Sequence, residues 1–208
     1  MPTKNPITHL RTFFAEKRQM KSWRKRLYLE QAPQFIKQNV LLKYAVPQAQ
    51  WVETGTYFGT TTQFLAERFD FVYSIEPGKE LFDRARRLFS GRNIELLNGT
   101  SEEMLPQLLP KLKGNINFWL DGHYSAGVTF QGPQDCPVED ELSNIDKNLN
   151  KFNDISIFID DIHCFWPDEA RYSNYPSVGL LVDWAHKRNF FWRIKHDIFI
   201  MRRTGQHS

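Results

Sequence analysis

The sequence predicts an α/β fold: a mostly parallel, seven-stranded sheet with a C-terminal antiparallel hairpin, helices on both faces and a helical appendage at the N-terminus. Short apolar, β-branched or aromatic runs recur five times from Gln50 onward, each ending in polar residues or glycine. Segments of helical periodicity separate them, which implies right-handed βαβ units and a buried parallel sheet. The last two β-rich runs, in "NFFWRIKHDIFIMRR", are separated by little more than His196 and Asp197. That spacing is too short for a crossover helix, so the two runs pair as an antiparallel hairpin.

Taken in order, residues 7 to 45 read as two or three helices, with Leu10, Phe13, Phe14, Phe35, Ile36, Val40 and Leu41 at helical spacing. Lysine and arginine hold eight places between Lys4 and Arg26 against one acid, Glu16. That face reads first as solvated helix surface, and second as a lid over an anionic ligand or a nucleic-acid contact. The strands are then "WVETG", "FVYSIEP", "IELLNG", "INFWLDG" and "ISIFIDD". Helical segments run from Thr61 to Arg68, Lys79 to Phe89, Ser101 to Leu112 and Val138 to Leu149, and "SVGLLVDWAHKR" supplies one more before the hairpin. The expected division is an N-terminal helical appendage over residues 1–48 and a main domain over 49–208.

The chain has 208 residues, 41% of them apolar, enough for one globular domain with a full core. A formal charge of +3 argues neither for a nucleic-acid binder nor for an acidic tail. Cys136 and Cys164 are too few for a disulfide framework and lack zinc-type spacing, so a reducing compartment is expected. The N-terminus has no apolar core of signal-peptide type, and no stretch approaches the length of a membrane span. A cytoplasmic protein is expected.

In an open α/β sheet, ligands bind beyond the carboxyl ends of the strands, near the place where strand order reverses. The first strand ends in Glu53-Thr54-Gly55-Thr56-Tyr57-Phe58-Gly59, followed by Thr60, Thr61 and Thr62. Gly55 permits a tight turn, Gly59 lets backbone approach a ligand or the helix start, and free N–H groups there suit a carboxylate. Alone, the pair reads equally as turn and packing glycines. The second strand ends at Glu76, 23 residues after Glu53, where an acid can accept both hydroxyls of a ribose. The third ends in Asn98-Gly99-Thr100-Ser101-Glu102. Thr100 or Ser101 caps the next helix, and its neighbour lies beside a base held by Glu76. Asp121 closes the fourth strand, and Asp160 with Asp161 closes the fifth. Three carboxylates in one crevice repel one another and are costly without a cation.

Together "VETGTYFGTTT", "SIEP", "NGTSEEML", "FWLDGHY" and "FIDDIH" resemble the class I S-adenosylmethionine-dependent methyltransferases. The resemblance is strongest to metal-dependent O-methyltransferases of the catechol, caffeoyl-CoA and macrolide-sugar kinds, and covers roughly residues 50 to 203. It implies the Rossmann-like methyltransferase fold, whose terminal hairpin distinguishes it from a nicotinamide-binding domain. It implies S-adenosylmethionine as cofactor, with Glu53, Thr54, Gly55, Thr56, Tyr57, Gly59 and Thr60 in the first-strand loop. Glu76 would hold the ribose, Gly99, Thr100 and Ser101 would lie near the adenine, and Asp121 would border the donor. It also implies a metal at Asp121, Asp160 and Asp161. Oxygen-only ligands suit a hard ion, Mg2+ or alternatively Mn2+ or Ca2+. Such an ion would bind two adjacent acceptor hydroxyls, lower their pKa and direct one at the sulfonium methyl.

A base must take the proton, and catechol-type enzymes place a lysine three residues after the first metal aspartate, where this sequence has Tyr124. His123 is the candidate catalytic base beside Asp121, with His163 in reserve. Residues 122–137 form a long glycine-rich loop assigned to substrate binding or a lid. Tyr124 and Phe130 are placed to stack on a sugar or aromatic ring, while Trp166 and His163 lie on the same rim. The expected partner is a small-molecule acceptor with hydroxyls, a vicinal diol in a sugar or natural product, and not a nucleic acid. A homodimer is left open. The rival functions are a nicotinamide-dependent oxidoreductase, a non-catalytic donor-binding or RNA-binding module, and a hydroxylase holding iron with the help of His123 and His163. The first is disfavoured because Tyr57 stands where GxGxxG needs its second glycine. For the acids, the rival reading is that Asp121 caps a turn while Asp160 and Asp161 pair with the basic N-terminal helices.

Overall fold

The computed structural model describes residues 6–29, 31–122, 136–166 and 174–205. Its sheet has seven strands: β1 (Gln50–Thr54), β2 (Val72–Glu76), β3 (Ile94–Asn98), β4 (Gly114–Leu120), β5 (Phe152–Ile159), β6 (Phe191–Lys195) and β7 (Ile198–Arg203). They lie in the order β3-β2-β1-β4-β5-β7-β6. The first five are mutually parallel, and β7 runs antiparallel to both β5 and β6. His196 and Asp197, both at positive φ, make the turn between β6 and β7, the backbone a two-residue hairpin turn with the sheet's own twist requires. The expected mostly parallel sheet with a terminal hairpin is the one observed.

The helices are α1 (Pro6–Lys25), α2 (Gln34–Tyr44), α3 (Thr60–Ala66), α4 (Lys79–Leu88), α5 (Ser101–Leu108), α6 (Val138–Asp146) and α7 (Val178–Lys187). α5 stops earlier than its apolar pattern suggests and tightens into a 3-10 turn at Leu109–Lys111, because Pro110 has no N–H to continue the helix. Alternation along the strands sorts the side chains into two layers. Val52, Phe118, Leu120, Ile157 and Ile159 pack with Leu105 of α5, Leu142 of α6 and Leu181 of α7. Trp51, Trp119 and Phe158 pack with Val40 and Leu41 of α2 and with Phe64 and Leu65 of α3. α2 thus belongs to the layer that covers the sheet, although it precedes β1. Leu41 is fully buried there, a contribution of roughly 2–3 kcal/mol that holds α2 in place.

Strand order reverses beside β1, between β2 and β4, so the crevice for a ligand opens above the ends of β1, β2, β4 and β5. Cys136 and Cys164 are both free and buried. Among the described residues, no helix is long and apolar enough to cross a membrane.

Candidate active site

The chain leaves β1 at Gly55, whose φ is +85° and whose missing Cβ would lie 2.4 Å from the Asp121 carbonyl oxygen. Only glycine lets the loop pass so close to the end of β4. The loop spends its amides inside the protein. Gly55 and Thr56 donate to the Ile75 carbonyl at 3.0 and 3.2 Å, Gly59 donates to the Thr56 carbonyl at 2.8 Å, and Tyr57 donates to Glu76 Oε2 at 2.7 Å. A turn this tight closes only by bonding to its neighbours. Gly59, at φ +79°, is a packing glycine whose Cβ would strike the Phe89 ring at 2.6 Å. Tyr57 holds a positive φ of 50°, a strained conformation for a bulky residue, and Thr60 opens α3.

Glu76 is buried at the end of β2, with Oε2 accepting from Tyr57 and Oε1 accepting from the Gly78 N–H at 2.8 Å. Burial pushes its carboxyl up while the two amides pull it back. A carboxylate offers about four acceptor sites, so two remain for the hydroxyls of a diol. Thr100 caps α5 in a reciprocal box with Glu103, which leaves the buried Ser101, beside Glu102, on the same turn after Gly99. Glu53 lies beneath the loop instead of facing the crevice, because its strand position points toward α3. Its Oε2 accepts from the Thr62 and Ser74 hydroxyls, each at 2.6 Å, and the Thr56 and Ser74 hydroxyls are 2.6 Å apart. Burial pushes the Glu53 carboxyl up to about 7, against the pull of those hydroxyls. Thr54 Oγ1 accepts from the Asp121 N–H at 3.3 Å, tying the ends of β1 and β4 together.

Asp121, Asp160 and Asp161 converge, with one oxygen of each lying within 4.8 Å of the others. Asp161 adopts φ 49° just beyond β5, a conformation aspartate tolerates better than most residues. A lysine meets the group. Lys37 Nζ, from the first turn of α2, donates to Asp160 Oδ2 and, at 3.1 Å, to Asp161 Oδ1. Gln31 Nε2 donates to Asp161 Oδ2 at 3.0 Å. Burial by itself would lower the lysine's pKa, but Asp160, Asp161 and Asp121 outweigh it and hold the ammonium above the ordinary lysine value. Burial and the Asp161 charge push Asp160 up, while Lys37 pulls it down. A proton on Asp160 would remove the charge that raises Lys37, so the two shifts oppose each other. The ammonium donating to both carboxylates favours the charged pair. Asp160 Oδ1 is buried and makes no hydrogen bond among the described residues.

His163 stands on the 3-10 turn Ile162–Phe165. Its Nδ1 is 2.6 Å from Asp197 Oδ2, and its backbone N–H donates to Asp197 Oδ1 at 2.9 Å. The Asp197 hydrogen bond, assisted by Cys164, raises the imidazole to about 10, so at neutral pH it is a protonated clasp between β5 and the hairpin turn. A protonated ring has no vacancy for another proton. Asp161, His163 and Asp197 also form a second convergent group. Trp166 is exposed on the rim. His123, Tyr124 and Phe130 lie outside the described residues.

Lys37, Gln31, Gln34 and Asp197 carry no motif in the sequence. Gln34 Nε2 donates to Thr61 Oγ1 at 3.0 Å, so one segment touches both α3 and the acids. The available signal was a lysine at position 37 sharing helical spacing with Val40 and Leu41, on a face that should be apolar. α1 ends at the same place. Trp23 is buried, its ring 5.0 Å from Tyr28 and 5.5 Å from His196 of the hairpin turn. Lys17, Arg18, Lys21, Arg24, Lys25 and Arg26 are exposed along that arm.

No family model and no curated protein sequence matches the chain. Solved structures do. The 23S rRNA methyltransferase ErmE is 16% identical with a TM-score of 0.52, over 85% of this chain and 69% of its own. A provisionally assigned S-adenosylmethionine-dependent methyltransferase from Listeria monocytogenes is 13% identical with a TM-score of 0.52, over 81% of this chain and 97% of its own. SMU.1697c, a provisionally assigned methyltransferase from Streptococcus mutans solved with SAH, is 14% identical with a TM-score of 0.51, over 84% and 98%. ErmE corrects the expectation of a small-molecule acceptor to the exclusion of nucleic acid, since this fold serves an rRNA methyltransferase. That expectation follows from the resemblance to O-methyltransferases of small molecules; the net charge of +3 leaves the partner open. By these likenesses the chain has the fold of the class I S-adenosylmethionine-dependent methyltransferases.

Proposed function

We propose that the chain transfers a methyl group from S-adenosylmethionine to an oxygen nucleophile of an RNA acceptor. The observation that carries this is Glu76, a buried carboxylate beside the strand-order reversal, oriented by two backbone amides and with acceptor capacity for two ribose hydroxyls. When bound, the donor supplies an electrophilic methyl on a sulfonium sulfur. Gly55 and Tyr57 shape the loop over it, Glu53 braces that loop from below, and Ser101 lies on the turn that would border the adenine.

The acceptor half rests on the α1 arm and on ErmE. Six exposed cations with Phe13, Phe14 and Tyr28 exposed among them combine phosphate attraction with rings on which bases stack. Trp23 fixes this arm beside the hairpin turn, at the rim of the acid cluster. Asp121 is the one acid of the three that is only half-buried, so it is the carboxylate placed to accept the hydrogen bond of an attacking hydroxyl. His123, two residues further along the sequence, is the proposed base.

The resemblance to metal-dependent enzymes also implies a divalent ion. The three convergent carboxylates are the hard oxygen donors such an ion takes, one with a buried oxygen that has no partner among the described residues, but the Lys37 ammonium already bonds to two of them. With Lys37 withdrawn, Asp121, Asp160 and Asp161 would hold Mg2+, which would supply Lewis-acid polarisation of the acceptor oxygen.

The test is calorimetric titration of S-adenosylhomocysteine into the wild type and Glu76→Ala. Micromolar binding to the wild type, lost in the variant, supports the donor site, and absence of binding to the wild type refutes it. Transfer of labelled methyl from S-adenosylmethionine into RNA, abolished by prior ribonuclease treatment, tests the acceptor.

A further inference from the structure

We infer that Lys37 is the resident cation of the Asp121, Asp160 and Asp161 cluster, and that a divalent ion enters the cluster only when Lys37 leaves it. The Lys37 ammonium donates to Asp160 and Asp161 at once, and the Asp121 carboxylate converges on the same two acids. An ion coordinated by Asp160 and Asp161 would need the space between their oxygens at about 2.0–2.6 Å from each. The ammonium fills that space, and two cations there would repel one another strongly in a buried setting.

Lys37 is not a loose side chain that drifts into an acidic pocket. It leaves the first turn of α2, whose Val40 and Leu41 are packed in the sheet's covering layer. Gln34 on the same turn is bonded to Thr61, and Gln31 just ahead is bonded to Asp161. Backbone placement, a neighbouring contact on α3 and a second contact on the acids therefore all hold the lysine at one position. Exchange for a metal would require the Lys37 side chain to give up both carboxylates and swing out of the cluster. The inference concerns only the counter-ion and stands whichever acceptor the crevice takes.

The experiment is Mn2+ binding to the full chain, followed by paramagnetic resonance and calorimetry, in the wild type, Lys37→Met and Asp160→Asn. The wild type is expected to bind Mn2+ more weakly than about 1 mM. Lys37→Met is expected to bind at least about tenfold tighter, and Mn2+ should raise the Tm of that variant and not of the wild type. Equal affinity in wild type and Lys37→Met overturns the inference. Should Lys37→Met fail to fold, the wild type still decides: stoichiometric micromolar Mn2+ binding that Asp160→Asn removes overturns it, and its absence sustains it. Binding of S-adenosylhomocysteine, measured on the same samples, reports the donor site separately.

Discussion

Glu53→Gln should make the protein more stable as pH rises, relative to wild type. The Glu53 carboxyl is buried between β1, β2 and α3, and burial pushes it from an ordinary 4.5 up to about 7. Between those values the folded protein keeps the proton that the unfolded chain releases. Wild-type stability therefore falls as pH rises through this window and is flat above it. At about 1.4 kcal/mol for each pH unit, carrying the ionised group at pH 8 costs roughly 3 kcal/mol. Glutamine keeps an oxygen for the Thr62 and Ser74 hydroxyls but turns an amide toward the place where Glu53 Oε1 has no partner among the described residues. That mismatch costs about 1–3 kcal/mol and does not depend on pH. Urea unfolding of both proteins at several pH values between about 4.5 and 8 separates the two effects, because only the ionisation produces a slope. The difference in unfolding free energy should climb by roughly 3 kcal/mol in favour of the variant across that range. A flat difference would refute the ionisation argument.

Gly55→Ala should lower Tm and weaken S-adenosylhomocysteine binding at least about tenfold in calorimetry, because its Cβ would meet the Asp121 carbonyl at 2.4 Å; unchanged binding would show that the loop tolerates displacement. Replacing Lys17, Arg18 and Lys21 together by alanine should weaken RNA binding and reduce the slope of log K against log salt by about 2 in filter binding, and an unchanged slope would remove α1 from the interface. Asp197→Asn should return His163 from about 10 toward its ordinary 6.5, followed by NMR titration of the ring. The wild-type clasp adds stability that is fully present below 6.5 and lost as pH rises through about 10, so the two proteins should converge in Tm at alkaline pH.

The elements of the sheet were legible because each strand and helix carries its own period, and because His196 and Asp197 leave room only for a hairpin. The acid positions at Asp121, Asp160 and Asp161 were legible for the same reason: the end of a strand is a local property. The role of Glu53 was not, since pointing toward Ser74 and Thr62 or toward the crevice depends on which side of the sheet α3 covers. The role of Thr100 was half legible, as the capping pattern with Glu103 was visible and the choice between Thr100 and Ser101 was not. The acceptor class was not legible in the residues, since whole-chain charge left it open and a run of cations on one helix reads first as solvated surface.

The sequence by itself determined the layered α/β architecture and the residues that stand at the strand ends, because burial periodicity and turn chemistry are set by neighbours along the chain. Only the tertiary structure decided which charge answers which. Lys37 reaches Asp160 across 123 positions of sequence, and Tyr57 spends its amide on Glu76 across 19. Pairings of that kind follow from packing α2 and the first loop against the sheet, and electrostatic partnership acts through space.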